Sequence, residues 1–300
     1  MQATSIVIPD HVQAIALCGG PYSNFAAVGA FVAATAELPY RFCLGDIGGF
    51  GPHPDRTLSL IRGSGMVCVQ GNYDHAVGHD EQDCGCGYSD PLDRSTAQIS
   101  FEYTARHTSP SHKAWLRSLP AQIVLHWRGT RMLLCHGSPD TVNEFVWESE
   151  TGDARIERWL AANEVAGIAA THSGIPWIRA TASGFWCNVG VLGRPPHHGS
   201  PDVGYAVVHF AQGTPRPIPA LHRLAYDPAP VAAAIRAEGL PEAFAESLEH
   251  GAWTTCTAIL PLPEQAIGER YPPPPARTPH PFPNPDTSAH ARHAAPAEAD

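Results

Sequence analysis

Four polar residues interrupt an otherwise apolar rhythm: Asp46 follows RFCLG, Asn72 follows MVCVQG, His136 follows RMLLC and His172 follows IAAT. Each comes directly after a short apolar run, so each is expected at the C-terminal end of a strand. In open α/β sheets that edge binds ligands, because strand ends and helix starts splay apart there. A carboxylate, an amide oxygen and two imidazoles form a donor set suited to Mn, Fe or Zn. The carboxylate supplies charge, the neutral rings supply nitrogen, and the amide adds an oxygen without further charge. One histidine after a strand is usually a loop or core residue, but four donors at equivalent positions point to a shared centre.

The elements that must position these groups are legible from hydrophobic periodicity. Ala14–Cys18, Arg41–Leu44 and Met66–Val69 read as short buried strands. A helix begins near Asn24 with Phe25, Val28, Phe31 and Val32 on one face, and PDRTLSLIRG forms a second, opened by Pro54 and closed by Gly63. Another helix opens at Ser109-Pro110. Strands at Gln122–Trp127 and Arg131–Cys135 flank a turn at Gly129. A helix over Asp153–Ala162 leads into a strand at Ala166–Ala170. Gly184–Asn188, Gly204–Phe210 and Leu221–Tyr226 complete a strand-rich second half, followed by a helical stretch around Val231–Leu248. Strand–helix–strand units followed by further strands indicate α/β layers with mixed sheets.

Taken together, the motifs resemble those of the calcineurin-like metallophosphoesterases, in that family's order from about Ala14 to Phe210. LGDIGGFGPHPDRTLSLIR is similar to the GDxxGxGPxP segment, QGNYDHAV to GNHD/E, and LLCHGSPD to the HG motif. ATHSGIPW is similar to GHTHxP, and NVGVLGRPPHHGSPDVGYAVV to NPGSxGxPR…YA. SPSHKAWLRSLP resembles the helix that follows the active-site loop in bacterial members. The resemblance implies a four-layer αββα sandwich of two mixed β-sheets over residues 1–270, with a metal centre above the strand ends. It also implies a small phosphorylated substrate, a phosphate mono- or diester.

Members of that family usually hold two metals, and the carry-over is uneven. The ligands of one site correspond to Asp46, Asn72, His136 and His172, all intact. The other site should draw on an Asp-x-His pair after the opening strand and on the last His of GHxH. Here Gly20 and Tyr22 stand at the pair, with only Asn24 left of that motif, and Gly174 stands at the last histidine. Every ligand exclusive to one ion has gone and every ligand of the other remains, which implies a mononuclear centre holding one divalent or trivalent ion. A phenolate is a good Fe(III) ligand, so Tyr22 is a candidate for a remodelled second ion, against a role in filling volume. The histidine of GNHD corresponds to Tyr73, a candidate hydrogen-bond donor to substrate or leaving group, and its acid to Asp74, expected to orient Tyr73 or His75. His75 is also a candidate to approach the ion. Two other readings stand beside hydrolysis: a catalytically silent metal- or ligand-binding member of the fold, and a one-metal enzyme of a different reaction type.

Other signals are weaker. His75, His79, Cys84 and Cys86 make either a zinc site or an ordinary polar active-site loop, and the Cys-x-Cys spacing favours the loop. His53 sits where a helix begins and reads as a cap or a substrate contact. His197 and His198 belong to a loop expected to be solvated. Cys18, Cys43, Cys68, Cys135 and Cys187 lie in or beside apolar runs and read as buried thiols, giving the expectation of a reduced, cytoplasmic protein. The net charge of −10 in 300 residues, with Lys113 the only lysine, disfavours binding to nucleic-acid backbone or anionic membrane. No stretch reaches the roughly 18 apolar residues of a membrane span. Residues 271–300, rich in Pro and His with almost no aliphatics, read as a disordered tail. Oligomeric state leaves no mark in the sequence.

Overall fold

The structure, a computed structural model, describes residues 3–210 and 216–266. The chain runs through β1 (Thr4–Val7), β2 (Ala14–Cys18), α1 (Phe25–Ala34), β3 (Arg41–Cys43), α2 (Pro54–Gly63) and β4 (Val67–Cys68). Then come α3 (Asn72–Gly78), α4 (Pro91–His107), α5 (Pro110–Ser118), β5 (Ile123–Trp127), β6 (Thr130–Leu134) and α6 (Asp153–Asn163). The last part holds β7 (Gly167–Ala170), β8 (Trp177–Ala180), β9 (Phe185–Asn188), β10 (Val203–His209), β11 (Ile218–Leu224), α7 (Ala229–Ala237) and α8 (Glu242–His250). The expected tail at 271–300 lies outside the described residues.

Two mixed sheets face each other. One has the order β1-β5-β6-β7-β9-β8 and the other β11-β10-β2-β3-β4. β2, β3 and β4 are parallel, as are β6, β7 and β9, while β10 runs antiparallel to β2. Side chains alternate across a strand, and that alternation builds four layers. In β2, Ile15 and Leu17 join Leu125, Met132, Leu134 and Ala169 in the core between the sheets. Ala16 and Cys18 face the other way, against Val28 and Phe31 of α1 and Leu58 and Ile61 of α2. On the far side of the first sheet, Leu133, Ile168, Ala170 and Trp186 pack under Ile156, Trp159 and Leu160 of α6. The expected αββα sandwich is therefore the observed one.

Local signals act where they were read. Asn24 caps α1 by accepting from the Ala27 N–H, and Ser109 caps α5 by accepting from the His112 N–H. α2 starts at Pro54 as expected, but His53 makes no capping bond; it is exposed, in a left-handed conformation with φ 54°. The stretch around Val231–Leu248 is two helices, α7 and α8, parted at Gly239–Pro241. No helix among the described residues is long and apolar enough to cross a membrane.

Cys18, Cys43, Cys68, Cys135 and Cys187 are buried free thiols, joined by Cys256. The expectation of a fully reduced chain fails at one place. Cys84 and Cys86 form a disulfide across the single residue Gly85, their Cα atoms 5.2 Å apart. Bonded to each other, these sulfurs are not thiolate ligands for zinc.

Candidate metal centre

The C-terminal edges of both sheets meet at one point. Asp46 follows β3 and Asn72 opens α3 just after β4, both on one sheet; His136 follows β6 and His172 follows β7 on the other. Asp46, His136 and His172 each bring a ligand atom within 4.8 Å of the others, and all three are buried. The two histidine loops are tied by their own backbone, with the N–H groups of Thr171 and His172 both donating to the His136 carbonyl.

Tautomers follow from the partners. His136 Nδ1 lies 2.6 Å from the Leu44 carbonyl, which can only accept, so Nδ1 carries a proton. Its Nε2 then faces Asp46 Oδ2 at 3.1 Å and His172 Nδ1 at 3.0 Å. Such a cluster of lone pairs needs a proton or a cation at its middle. Burial pushes the His136 pKa down, but the Asp46 charge and hydrogen bond pull it above its ordinary value. Asp46 is held below its ordinary value, burial raising it less than His136 lowers it. Burial and the neighbouring His136 push His172 down to about 3, which keeps that ring neutral.

Asn72, the fourth donor expected from the sequence, is buried too. Its Nδ2 donates to the Cys84 carbonyl at 2.8 Å, fixing which way the amide points, and Cys86 Sγ lies 3.6 Å away. Its Oδ1 is buried without any hydrogen-bond partner, as is His172 Nε2. A buried amide oxygen left bare costs on the order of 1–3 kcal/mol unless something electropositive meets it. The residues present therefore fit a metal ion: one carboxylate, two imidazole nitrogens and an orphaned amide oxygen.

The backbone that presents Asp46 is strained. Its φ is 58°, beside Gly45 at φ 93°. A Cβ on Gly45 would lie 2.4 Å from Gly71 N, and one on Gly71 would lie 2.2 Å from Asp46 Oδ1, so neither site accommodates a side chain. Asp74 pins this crossing. Its Oδ2 accepts the N–H groups of Asp46 at 2.8 Å and Gly71 at 2.9 Å, and its Oδ1 accepts Ile47 N–H at 2.9 Å. As the third residue of α3, it also makes half of a capping box with Gly71. Burial and the Asp46 charge raise its carboxyl to about 7, against the pull of the backbone donors. Asp46 Oδ1 in turn accepts the Tyr73 N–H at 3.0 Å, leaving Oδ2 for the centre.

The remaining sequence candidates do not converge here. Tyr73 turns its ring onto Phe101 and its hydroxyl to Ser100 Oγ at 3.0 Å, away from any open face. Asp74 orients neither Tyr73 nor His75 through its side chain, because both its oxygens are taken by backbone. His75 is half exposed, 3.3 Å from Glu81 and against the His79 ring, so it points outward. The reason is helical: 72 to 75 are consecutive residues of α3, about 100° apart, so their side chains leave the helix in different directions. Asn24 has spent its side chain on the α1 cap and on bonds to the Leu192 carbonyl and Tyr226 hydroxyl. Tyr22 lies beside Asp46 with its ring over Gly20 and against Gly193. Burial and the Asp46 charge push its phenol up, so a phenolate there is disfavoured. His197 and His198 are buried rather than solvated; His197 Nδ1 accepts the Trp253 N–H at 2.8 Å.

Sequence reasoning missed the roof of the site. Residues 251–266 fold back so that Trp253 and Leu260 pack with Trp147 and Ile175. Buried Asp93 holds this segment by accepting the Cys256 N–H at 2.7 Å. A narrow cavity beside the centre, with room of about 10 Å³, is lined by Tyr22, Tyr88, Phe145, His172, Arg194 and Trp253 among others. Arg194 was visible in the sequence as the only basic residue of the segment after β9, but nothing local tied it to the centre.

No family model matches the chain. An uncharacterized protein of Methanocaldococcus jannaschii is 28% identical over 137 residues, 45% of this chain and 52% of that protein. The chain thus spans about half the length of the curated relative it matches. Among solved structures, a hypothetical protein from Pyrococcus horikoshii OT3 superposes with TM-score 0.68 at 19% identity, covering 82% of this chain and 99% of that one. A metallophosphoesterase from Sphaerobacter thermophilus gives TM-score 0.63 at 22% identity, covering 81% of this chain and all of the other (100%). The fold is that of the calcineurin-like metallophosphoesterases, as the motifs implied.

Proposed function

We propose that the chain is a metal-dependent hydrolase of a phosphate mono- or diester, working through a single ion held by Asp46, Asn72, His136 and His172. The observation that carries the reading is the buried convergence of ligand atoms from Asp46, His136 and His172, and the Oδ1 of Asn72, buried and without a hydrogen-bond partner, supports it. One ion is favoured because the positions of the lost ligands are filled by other atoms. Tyr22 covers Gly20, and Trp253 and Val191 stand against Gly174. Among the described residues, Asp46, His136 and His172 form the one cluster of three or more His, Cys, Asp or Glu donors close enough to share an ion.

A bound ion supplies Lewis acidity, lowering the pKa of a bound water and polarising a phosphoryl oxygen. The protein's own part is positional. Leu44 fixes the His136 tautomer, Cys84 fixes the Asn72 amide, and the Tyr73 N–H leaves one Asp46 oxygen free. Such orienting partners are typically worth about 10- to 100-fold in metal affinity. The hydrogen bond between the Tyr73 and Ser100 hydroxyls makes Tyr73 a buttress of the 48–50 loop rather than a proton donor to substrate. A substrate of small size suits the narrow approach under Phe145 and Trp253.

The test is elemental analysis of the purified protein, with hydrolysis of p-nitrophenyl phosphate and bis(p-nitrophenyl) phosphate. About one metal per chain is expected, falling to none together with turnover in His172→Ala. Loading the stripped protein should also release protons, because an ion competes with protons for the same carboxylate and imidazole lone pairs. Turnover that survives in a metal-free His172→Ala protein defeats the hydrolytic reading. Metal without turnover on either ester favours the silent, ligand-binding alternative.

A further inference from the structure

Arg194 follows the turn after β9 and is 6% exposed. Its guanidinium is sandwiched between two aromatic rings, 3.5 Å from the Trp253 centroid and 5.2 Å from that of Phe50. Those faces attract a cation but cannot neutralise it. Nη1 makes one long contact, 3.5 Å to the Thr255 carbonyl, and Nε has no hydrogen-bond partner. The ion pairs of the described residues do not include Arg194. Buried arginines are ordinarily paired, because a charge taken out of water without a counter-charge is strongly disfavoured. The side chains flanking it in the cavity wall, Tyr22 and Tyr88, are hydroxyls rather than carboxylates.

The same side chain lines the cavity that reaches His172. An unneutralised guanidinium with an unused donor therefore shares one cavity with His172, a candidate ligand. The cavity's room of about 10 Å³ is that of a single oxygen atom or water. We propose that Arg194 is an oxyanion-binding residue whose guanidinium takes one oxygen of a phosphoryl group entering between Tyr22 and Trp253. A planar guanidinium suits this task, since its fork matches phosphate geometry. Resting on the hydrolytic reading, this assigns the charge complementary to the substrate to a side chain as well as to the ion. It also explains why the rings of Phe50 and Trp253 are spent on clamping one arginine: they hold it in place while leaving its donors free.

The test is binding of inorganic phosphate to the full chain by calorimetry, once after metal stripping and once with manganese, for wild type, Arg194→Met and Arg194→Lys. Wild type is expected to bind phosphate in both states. Arg194→Met should lose about 10- to 100-fold in affinity in both, with its metal content unchanged, and Arg194→Lys should lie between. Equal affinity in wild type and Arg194→Met, or no binding by stripped wild type, overturns the proposal. If Arg194→Met does not fold, tungstate soaked into wild-type crystals decides. An anomalous peak within hydrogen-bond distance of the guanidinium supports the assignment, and a peak elsewhere or none refutes it. Failure of the hydrolytic reading would look different: no metal or no ester turnover, with Arg194-dependent phosphate binding intact.

Discussion

Replacing Asp74 should unmake the centre without touching a ligand. The carboxylate is 1% exposed and accepts three backbone N–H groups, from Asp46, Ile47 and Gly71, at 2.8–2.9 Å. In Asp74→Ala those three donors are left buried with nothing to accept them. Each such loss costs about 1–3 kcal/mol. Removing a carboxylate that sits against the Asp46 charge returns part of this, so the net expectation is a destabilisation of about 3–5 kcal/mol. Asp74→Asn keeps one oxygen and turns an amide N–H2 towards a donor, so about 1–3 kcal/mol is expected there. Because the same bonds hold Asp46 at its positive φ, metal affinity should fall by at least about 10-fold in the milder variant. Urea unfolding of metal-stripped protein measures the first effect and metal titration the second. A loss under about 1 kcal/mol in Asp74→Ala, or unchanged metal affinity in Asp74→Asn, would refute the pinning role.

Two further outcomes follow from contacts around the site. In the double variant Cys84→Ser, Cys86→Ser, the loop that receives the Asn72 amide at the Cys84 carbonyl loses its covalent tie. Metal affinity should drop about 10-fold with little change in thermal midpoint, and a titration indistinguishable from wild type would show that the disulfide does not position Asn72. Asp55 joins the start of α2 to the start of α5 by accepting the Ser109 N–H at 2.8 Å and facing His112 Nδ1 at 2.7 Å. Burial raises its pKa less than these bonds lower it, so it stays below the usual range. A depressed carboxyl stabilises the fold above its unfolded pKa of about 3.9 and loses that contribution as pH falls through the folded value. Asp55→Asn should thus cost under about 1 kcal/mol at pH 7, since solvent screens the pair, and the gap to wild type should narrow as pH falls below the unfolded value of about 3.9. A gap that widens on acidification in urea titrations would contradict the sign.

What the sequence determined was whatever depends on short-range pattern. Apolar runs placed β2, β6 and β7, and Asn24, Pro54 and Ser109 marked helix starts, because burial and capping act within a few residues. The four donors were legible for the same reason, each standing directly after such a run. β1 was missed because it is an exposed edge strand with no buried face, and α4 because its apolar and polar residues do not segregate cleanly. Only the tertiary structure decided where side chains point once a segment is helical. Asn72, Tyr73, Asp74 and His75 are neighbours in sequence, yet α3 sends them to the Cys84 carbonyl, the Ser100 hydroxyl, three backbone N–H groups and solvent. It alone also brought Arg194 and Trp253 to one cavity with His172, and the Cys84–Cys86 loop to the Asn72 amide. Contacts between residues tens of positions apart depend on how the two sheets stack, and no local periodicity encodes that.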